Sequence, residues 1–289
     1  MLESLVSTDW LESELGAPDL RVADATFFLP TDNRDPRAEH VAAHVPGAVF
    51  FDIAEIADLG NPLPHMLPDE TKFASRMQSL GIGDGNRIVI YDNSPLHTAA
   101  RAWWMLKAFG AHHVAILDGG FQKWMAEGRP FEIGRDLHRH GHFTARLDAN
   151  DVADKAQVLG AIGAGGHEIV DARPAARFAG EGQEPRPGLA SGHMPGARNL
   201  PQSELFNPDH SYKPREALKA EFDKADVDLA KPLITTCGSG VTAASVLFAA
   251  HLLGKRDVCV YDGSWSEWGA DPDTPKVTGL PPRPGSGQA

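Results

Sequence analysis

Leu233-Ile234-Thr235-Thr236-Cys237-Gly238-Ser239-Gly240-Val241-Thr242 is the stretch of sequence that decides the fold. Its first four residues are apolar or β-branched and predict a short buried strand. The alanine-rich residues from Thr242 to Leu253 predict a helix, and Gly254 supplies the left-handed residue at which such a helix ends. The cysteine between them therefore stands on a strand-to-helix turn.

The residues after Cys237 predict a loop that binds anions. Gly238 and Gly240 allow successive backbone N–H groups to turn inward, and the helix N-terminus adds partial positive charge. Such a loop stabilises a thiolate, which is the nucleophilic form of cysteine and can carry a persulfide sulfur. An inert buried thiol is the alternative, and the loop argues against it for Cys237. The alternative is favoured for Cys259, which lies in a Val-Cys-Val strand segment.

The same alternation of strand and helix extends over the whole chain. A second predicted helix runs from Thr98 to Phe109 and ends at Gly110. Short β-branched runs predict further strands at Arg87 to Tyr91, Val114 to Leu117, Glu168 to Val170 and Val258 to Tyr261. The sequence therefore predicts α/β architecture around mainly parallel sheets flanked by helices.

Three segments of the first half recur in the second half, in order and at nearly constant spacing. The segment from Val22 to Ala25 resembles Val170 to Ala172, His44 to Ala48 resembles His193 to Ala197, and Asp118 to Trp124 resembles Asp262 to Trp268. This spacing predicts a duplicated domain. We place the domains at 1–136 and 150–280, a linker at 137–149 and a flexible tail at 281–289.

The composition is that of a soluble globular protein and excludes some functions. The 289 residues are 42% hydrophobic and 23% charged, with a formal net charge of −12. This charge argues against nucleic acid and anionic membranes as partners. No run of about 20 apolar residues is present, and the N-terminus has no targeting pattern. Two cysteines suit a reducing compartment, so we expect a cytoplasmic protein.

A cysteine on a strand-to-helix turn is also found in tyrosine-phosphatase-type enzymes. Their loop needs an arginine six residues after the cysteine to bind phosphate through two hydrogen bonds. That position is Ala243 here. The phosphatase alternative therefore lacks its main cation.

Taken together, the motifs resemble those of the tandem rhodanese-domain sulfurtransferases, and among them the 3-mercaptopyruvate sulfurtransferases. The motifs are Gly192 to Ala197, Cys237 to Thr242 and Tyr261 to Trp265, with Phe50 to Ile53 and His65 to Pro68 in the first half. The resemblance implies two rhodanese-like domains, of which the first is catalytically silent. In agreement, aligning the strand Arg87 to Tyr91 with the strand before Cys237 puts Asp92 at the position of the nucleophile.

The resemblance implies a substrate site around the persulfide of Cys237. Loop residues Gly238, Gly240, Val241 and Thr242 would hold the sulfur. Arg177 and Arg186 would bind the donor's carboxylate and carbonyl oxygen, because a guanidinium can pair with a planar carboxylate through two hydrogen bonds. Ordinary surface ion pairing is the alternative role for these two arginines.

A proton relay of the serine-protease kind is also implied by the resemblance. Its matching positions are Ser239 and His65, with Asp52 as the carboxylate. Some relatives carry the acidic residue two positions later, where this chain has Ala54. A loop histidine that only caps backbone groups is the alternative for His65.

The predicted reaction moves sulfur from 3-mercaptopyruvate to a thiol or cyanide acceptor and needs no metal or organic cofactor. Thiosulfate-using relatives have basic residues directly after the cysteine, where this chain has the uncharged Gly238 and Ser239. Thiosulfate:cyanide transfer is the enzymatic alternative, and a non-catalytic sulfur-binding module is the other. Among thiol acceptors, the resemblance suggests a small reducing protein such as thioredoxin.

Overall fold

A computed structural model describes residues 2–134 and 139–280. The described chain divides into two units, each built on its own sheet. The first unit contains the residues up to Ala149 together with Phe206–Tyr212, and the second contains Asn150–Leu205 and the residues from Lys213 onward. The predicted tail at 281–289 lies outside the described residues.

The first unit is a five-stranded parallel sheet with strand order β1-β5-β4-β2-β3. Its strands are β1 Leu5–Val6, β2 Leu20–Asp24, β3 Ala48–Phe50, β4 Arg87–Tyr91 and β5 His113–Leu117. Its helices are α1 Thr8–Glu14, α2 Pro36–Ala42, α3 Ile53–Ile56, α4 Glu70–Ser79, α5 Ala99–Ala108 and α6 Gly120–Ala126.

The second unit repeats this plan with strand order β6-β10-β9-β7-β8, again with parallel neighbours. Its strands are β6 Val152–Ala153, β7 Glu168–Asp171, β8 Arg198–Asn199, β9 Leu233–Thr236 and β10 Val258–Tyr261. Its helices are α7 Lys155–Ala161, α8 Ala175–Ala179, α9 Arg215–Lys224, α10 Ala243–Leu252 and α11 Ser264–Trp268. The predicted α/β fold with two parallel sheets is confirmed.

The sheet registers show that the two units carry equivalent loops. Asp24 of β2 lies opposite Tyr91 of β4, and Asp171 of β7 lies opposite Thr236 of β9. The next residues along the chain, Asp92 and Cys237, therefore occupy the same place at the carboxyl ends of the two sheets. This edge is where open parallel sheets bind their ligands.

The helices that follow these loops are among the most deeply buried elements. Residues 243–250 of α10 are all buried, as expected for a helix that is apolar on every side. Both α5 and α10 end at glycines in the left-handed region, with φ 93° at Gly110 and 94° at Gly254. Trp265 and Trp268 are fully buried in the core of the second unit. Both tryptophans therefore belong to the packed interior of this unit.

The described part of the predicted linker packs within the first unit. Phe143 is buried, and its ring lies edge-on to Phe73 at 5.8 Å between centroids. The amide of Arg146 donates to the Phe109 carbonyl, and the amide of Asp148 donates to the Ala108 carbonyl. The boundaries of the linker stay a prediction.

The helices of the described residues are short. The longest helices in residues 2–134 and 139–280 have ten residues. None of them has the length and apolar character required to cross a membrane.

Candidate active site

Cys237 lies on the turn between β9 and α10, and its side chain is almost fully buried. Helix α11 holds the backbone of this turn. The Cys237 carbonyl accepts from the Trp265 amide at 3.0 Å, and the Gly238 carbonyl accepts from the amide and hydroxyl of Ser266 at 2.9 and 2.7 Å. These bonds fix the two residues that begin the loop.

Ser264 adds a contact to the cysteine itself. Its hydroxyl oxygen accepts from the Cys237 amide at 3.2 Å and donates to the Tyr261 carbonyl at 2.8 Å. Ser264 has φ 48°, a left-handed conformation that costs a non-glycine residue on the order of 1–3 kcal/mol. The equivalent residue of the first unit is Gly120, with φ 59°. Of these two equivalent positions, the one beside the cysteine therefore has a strained serine, whereas the one beside Asp92 has a glycine.

The rest of the loop offers donors to an anion. In the part of the chain that the structure describes, the amides of Gly238, Val241 and Thr242 donate to no protein acceptor. Gly240 has φ 77°, which glycine adopts without strain. Helix α10 begins directly after Thr242, with its positive dipole end at the loop. Three amide donors and a helix N-terminus therefore lie at the cysteine turn, and the binding of an anion by this loop stays a prediction.

Both predicted arginines lie at this loop. Nη1 of Arg186 donates to the Ser266 hydroxyl at 3.4 Å. Burial lowers the pKa of the Arg186 guanidinium, and negative charge on Cys237 opposes this shift. Arg177 lies beside Gly238, because its Nη2 is 3.2 Å from the point that a Cβ on Gly238 would occupy. The structure thus brings the thiol and both guanidinium groups together within the second unit.

One nitrogen of Arg177 is left without a partner. Its Nη2 donates to Glu184 Oε2 at 2.6 Å, whereas its buried Nε has no hydrogen-bond partner in the described ranges. A buried donor without an acceptor is costly unless a water molecule or a ligand supplies the acceptor.

Ser239 is buried in the second unit, whereas His65 and Asp52 belong to the first unit. The hydrogen bonds of the Asp52 carboxylate in the described chain go to the Glu55 amide, at the N-terminus of α3, and to Arg37. They do not go to His65. The relay of Ser239, His65 and Asp52 stays a prediction.

Residues that sequence reasoning did not single out complete the polar part of the second unit's site. They are Asp171, Arg173 and Glu184, all buried as side chains, together with Ser264 and Ser266. One signal was present in the sequence. Aspartate ends the same strand in both halves, at Asp24 and Asp171, and a buried acidic residue at a strand end indicates a polar network.

The equivalent loop of the first unit is closed on itself. The Asp92 carboxylate accepts from the amides of Ser94 and Ala99, each at 2.8 Å. The backbone carbonyl of Asp92 accepts from the Phe121 amide, just as the backbone carbonyl of Cys237 accepts from the Trp265 amide. Two amides of this loop are therefore satisfied by the Asp92 carboxylate, and the loop has an aspartate where the second unit has its cysteine.

Asp92 predicts a measurable pH dependence of stability. Burial raises the pKa of its carboxyl to about 7, from an ordinary value of 3.8. The folded state therefore binds the proton more tightly, and the stabilisation present at low pH is lost as pH rises through about 7. The free energy of unfolding of the wild type should fall between pH 4 and pH 7, whereas that of Asp92→Asn should not. We therefore expect the free energy of unfolding of Asp92→Asn, relative to the wild type, to rise by up to about 4 kcal/mol between these pH values. Urea unfolding at both pH values measures it; a pH-independent difference contradicts the assignment.

Comparison with known proteins agrees with the fold. The rhodanese-like domain family matches residues 7–127 and 154–271. The chain therefore belongs to the rhodanese-like domain proteins and carries two copies of the domain.

Several relatives align with this chain over nearly its whole length. The mouse protein named 3-mercaptopyruvate sulfurtransferase is 43% identical over 274 residues, covering 93% of this chain and 92% of that protein. The chicken protein named thiosulfate sulfurtransferase is 42% identical, covering 92% and 93%. The crystal structure of the 3-mercaptopyruvate sulfotransferase SseA of Escherichia coli superposes with a TM-score of 0.84 at 40% identity, covering 91% and 99%.

Proposed function

We propose that the protein is a 3-mercaptopyruvate sulfurtransferase in which Cys237 carries the transferred sulfur as a persulfide. The observation that carries this proposal is the buried Cys237 at a loop with Arg177 and Arg186 beside it, in which the amides of Gly238, Val241 and Thr242 donate to no protein acceptor within the described residues. Relatives named for this activity, aligned over nearly the whole chain, support it.

The first half-reaction loads the cysteine. The Cys237 thiolate attacks the thiol sulfur of 3-mercaptopyruvate, and an S–S bond forms as the C–S bond breaks. The electron pair of the C–S bond passes to carbon and gives the enolate of pyruvate. A proton, equivalent to the one lost from the donor thiol, ends on that carbon, and pyruvate leaves. The persulfide anion that remains would be stabilised by the loop amides and the dipole of α10.

The second half-reaction unloads the cysteine. A thiolate or cyanide attacks the outer sulfur, and the Cys237 thiolate leaves and returns to its starting state. We propose a small dithiol protein of the thioredoxin kind as the acceptor, since a dithiol can release the sulfur as sulfide by forming its own disulfide. Ser239 and His65 are the proposed proton-transfer residues, with Asp52 as the proposed carboxylate.

Two other functions remain candidates. Thiosulfate is the alternative donor, because the chicken relative is named for it at nearly the same identity. The uncharged Gly238 and Ser239 argue against a dianionic donor here. A non-catalytic sulfur-binding module is the other candidate. The presence of Cys237 with both arginines in the second unit argues against it.

We also propose a cytoplasmic location. Cys237 and Cys259 are both free thiols, which suits a reducing compartment. Fractionation of the producing cells, followed by detection of the protein, tests this proposal.

The carboxylate-binding role proposed for Arg186 is testable by one conservative change. Arg186→Lys keeps the charge and loses the planar pair of donors. We expect kcat/KM for 3-mercaptopyruvate to fall about ten- to a hundredfold, the effect of losing one hydrogen bond to a charged group. Arg256→Lys is the matched control, since Arg256 contacts His251 instead. An unchanged kcat/KM in Arg186→Lys removes this residue from the site.

A further inference from the structure

A chain of four buried or half-buried charges leads from the sheet of the second unit to the cysteine loop. Its members are Asp171, Arg173, Glu184 and Arg177. Asp171 ends β7 and lies opposite Thr236, the residue before Cys237. The first member is therefore fixed in the sheet itself.

Arg173 is held on every side. Its guanidinium donates to both carboxylate oxygens of Asp171 at 2.7 to 3.1 Å and to the Gly192 carbonyl at 2.8 Å. It also lies over the Trp265 ring, at 4.1 Å from the centroid. With its side chain 1% exposed, Arg173 is a rigid support rather than a ligand-binding group.

Glu184 connects this support to Arg177. Its Oε1 accepts from Arg173 Nη1 at 2.8 Å, and its Oε2 accepts from Arg177 Nη2 at 2.6 Å. Both oxygens are used, and the side chain is only 4% exposed. Glu184 thus fixes the direction of the Arg177 fork while the arginine's Nε stays unpartnered in the described chain.

We infer that Glu184 is a positioning residue that aims Arg177 at the carboxylate of the sulfur donor. The inference rests on the proposed function, since it needs Arg177 to bind that carboxylate. The charges also fit. With Arg186, the group has three cations and two carboxylates, and this excess of one positive charge faces both the Cys237 thiolate and the donor carboxylate.

Two donors that differ only in the carboxylate separate positioning from general structural support. Mercaptoacetone is 3-mercaptopyruvate with a methyl group in place of the carboxylate, and it can load Cys237 by the same C–S cleavage. In Glu184→Gln we expect kcat/KM for 3-mercaptopyruvate to fall about tenfold or more, mainly through KM, because one charge-assisted bond that orients Arg177 is lost. The value for mercaptoacetone should stay within about twofold.

Control variants keep the test decisive. Glu221→Gln is the matched control, because Glu221 also bridges two cations, Lys213 and Lys224. We expect this variant to leave kcat/KM unchanged for both donors. If Glu184→Gln does not fold, Glu184→Asp serves, since the shorter side chain cannot reach both arginines. Losses in Glu184→Gln and Arg177→Met that are not additive for 3-mercaptopyruvate support the inference.

Equal losses for both donors, or no loss for 3-mercaptopyruvate, overturn the positioning role of Glu184. Failure of the proposed function looks different, because the wild-type protein itself would then show no loading from 3-mercaptopyruvate.

Discussion

Cys237→Ser is expected to abolish sulfur transfer, with a loss of at least about a thousandfold, whereas Cys259→Ser retains nearly full activity. A serine hydroxyl cannot form the persulfide. Cys259 is a half-buried strand residue whose thiol pKa is raised to about 11 by burial, so it is protonated at neutral pH and unreactive. Pyruvate release from 3-mercaptopyruvate in the presence of a thiol acceptor measures the effect.

The two cysteine variants control each other. Both replace a thiol by a hydroxyl in the second unit, so circular dichroism and thermal unfolding should show the same fold in each. Comparable activity losses in two folded variants would refute the assignment of Cys237 as the sulfur carrier.

Charge in the cysteine loop should set the choice of donor. The double variant Gly238→Arg with Ser239→Lys adds two positive charges near the transferred sulfur, and a dianion gains more from them than a monoanion. We expect the ratio of kcat/KM for thiosulfate to that for 3-mercaptopyruvate to rise at least about tenfold. Steady-state rates with both donors measure this ratio.

Larger side chains at positions 238 and 239 can also raise this ratio, because they disturb the binding of 3-mercaptopyruvate. This steric effect needs its own control. A Cβ at position 238 would lie 3.2 Å from Nη2 of Arg177, so any side chain there disturbs that arginine. The uncharged double variant Gly238→Ala with Ser239→Ala reports this steric effect together with the loss of the Ser239 hydroxyl, both of which the charged variant shares. A ratio that rises equally in the alanine and the charged variants would show that loop charge does not select the donor.

Much of the fold follows from local sequence. The strands Arg87–Tyr91, Leu233–Thr236 and Val258–Tyr261 have the predicted bounds. Each β-branched run begins directly after a turn-forming residue, which is Asn86, Pro232 or Asp257. Helix α10 begins and ends one residue inside its predicted bounds, ahead of Gly254. The internal repeat aligns Asp92 with Cys237. The sheet registers place these two residues at equivalent positions and so agree with that alignment.

The parts that the sequence did not indicate depend on contacts between distant residues. Glu184 lies in a segment without helix or strand, and only its two arginine partners reveal a role. Likewise, nothing local indicated that Phe206–Tyr212 joins the first unit. There Phe206 stacks on His97 at 3.4 Å between centroids, and the Tyr212 amide donates to Asp118. Tertiary packing of this kind leaves no periodic pattern to detect.

The most direct test of the central claim is donor loading followed by intact-protein mass spectrometry. The wild-type protein is incubated with 3-mercaptopyruvate or with thiosulfate, without an acceptor, and peptide mapping then locates any added sulfur. The proposed function predicts one added sulfur atom on Cys237, formed far faster from 3-mercaptopyruvate than from thiosulfate. Equal or faster loading from thiosulfate contradicts the mercaptopyruvate assignment, and no loading from either donor contradicts catalysis by Cys237.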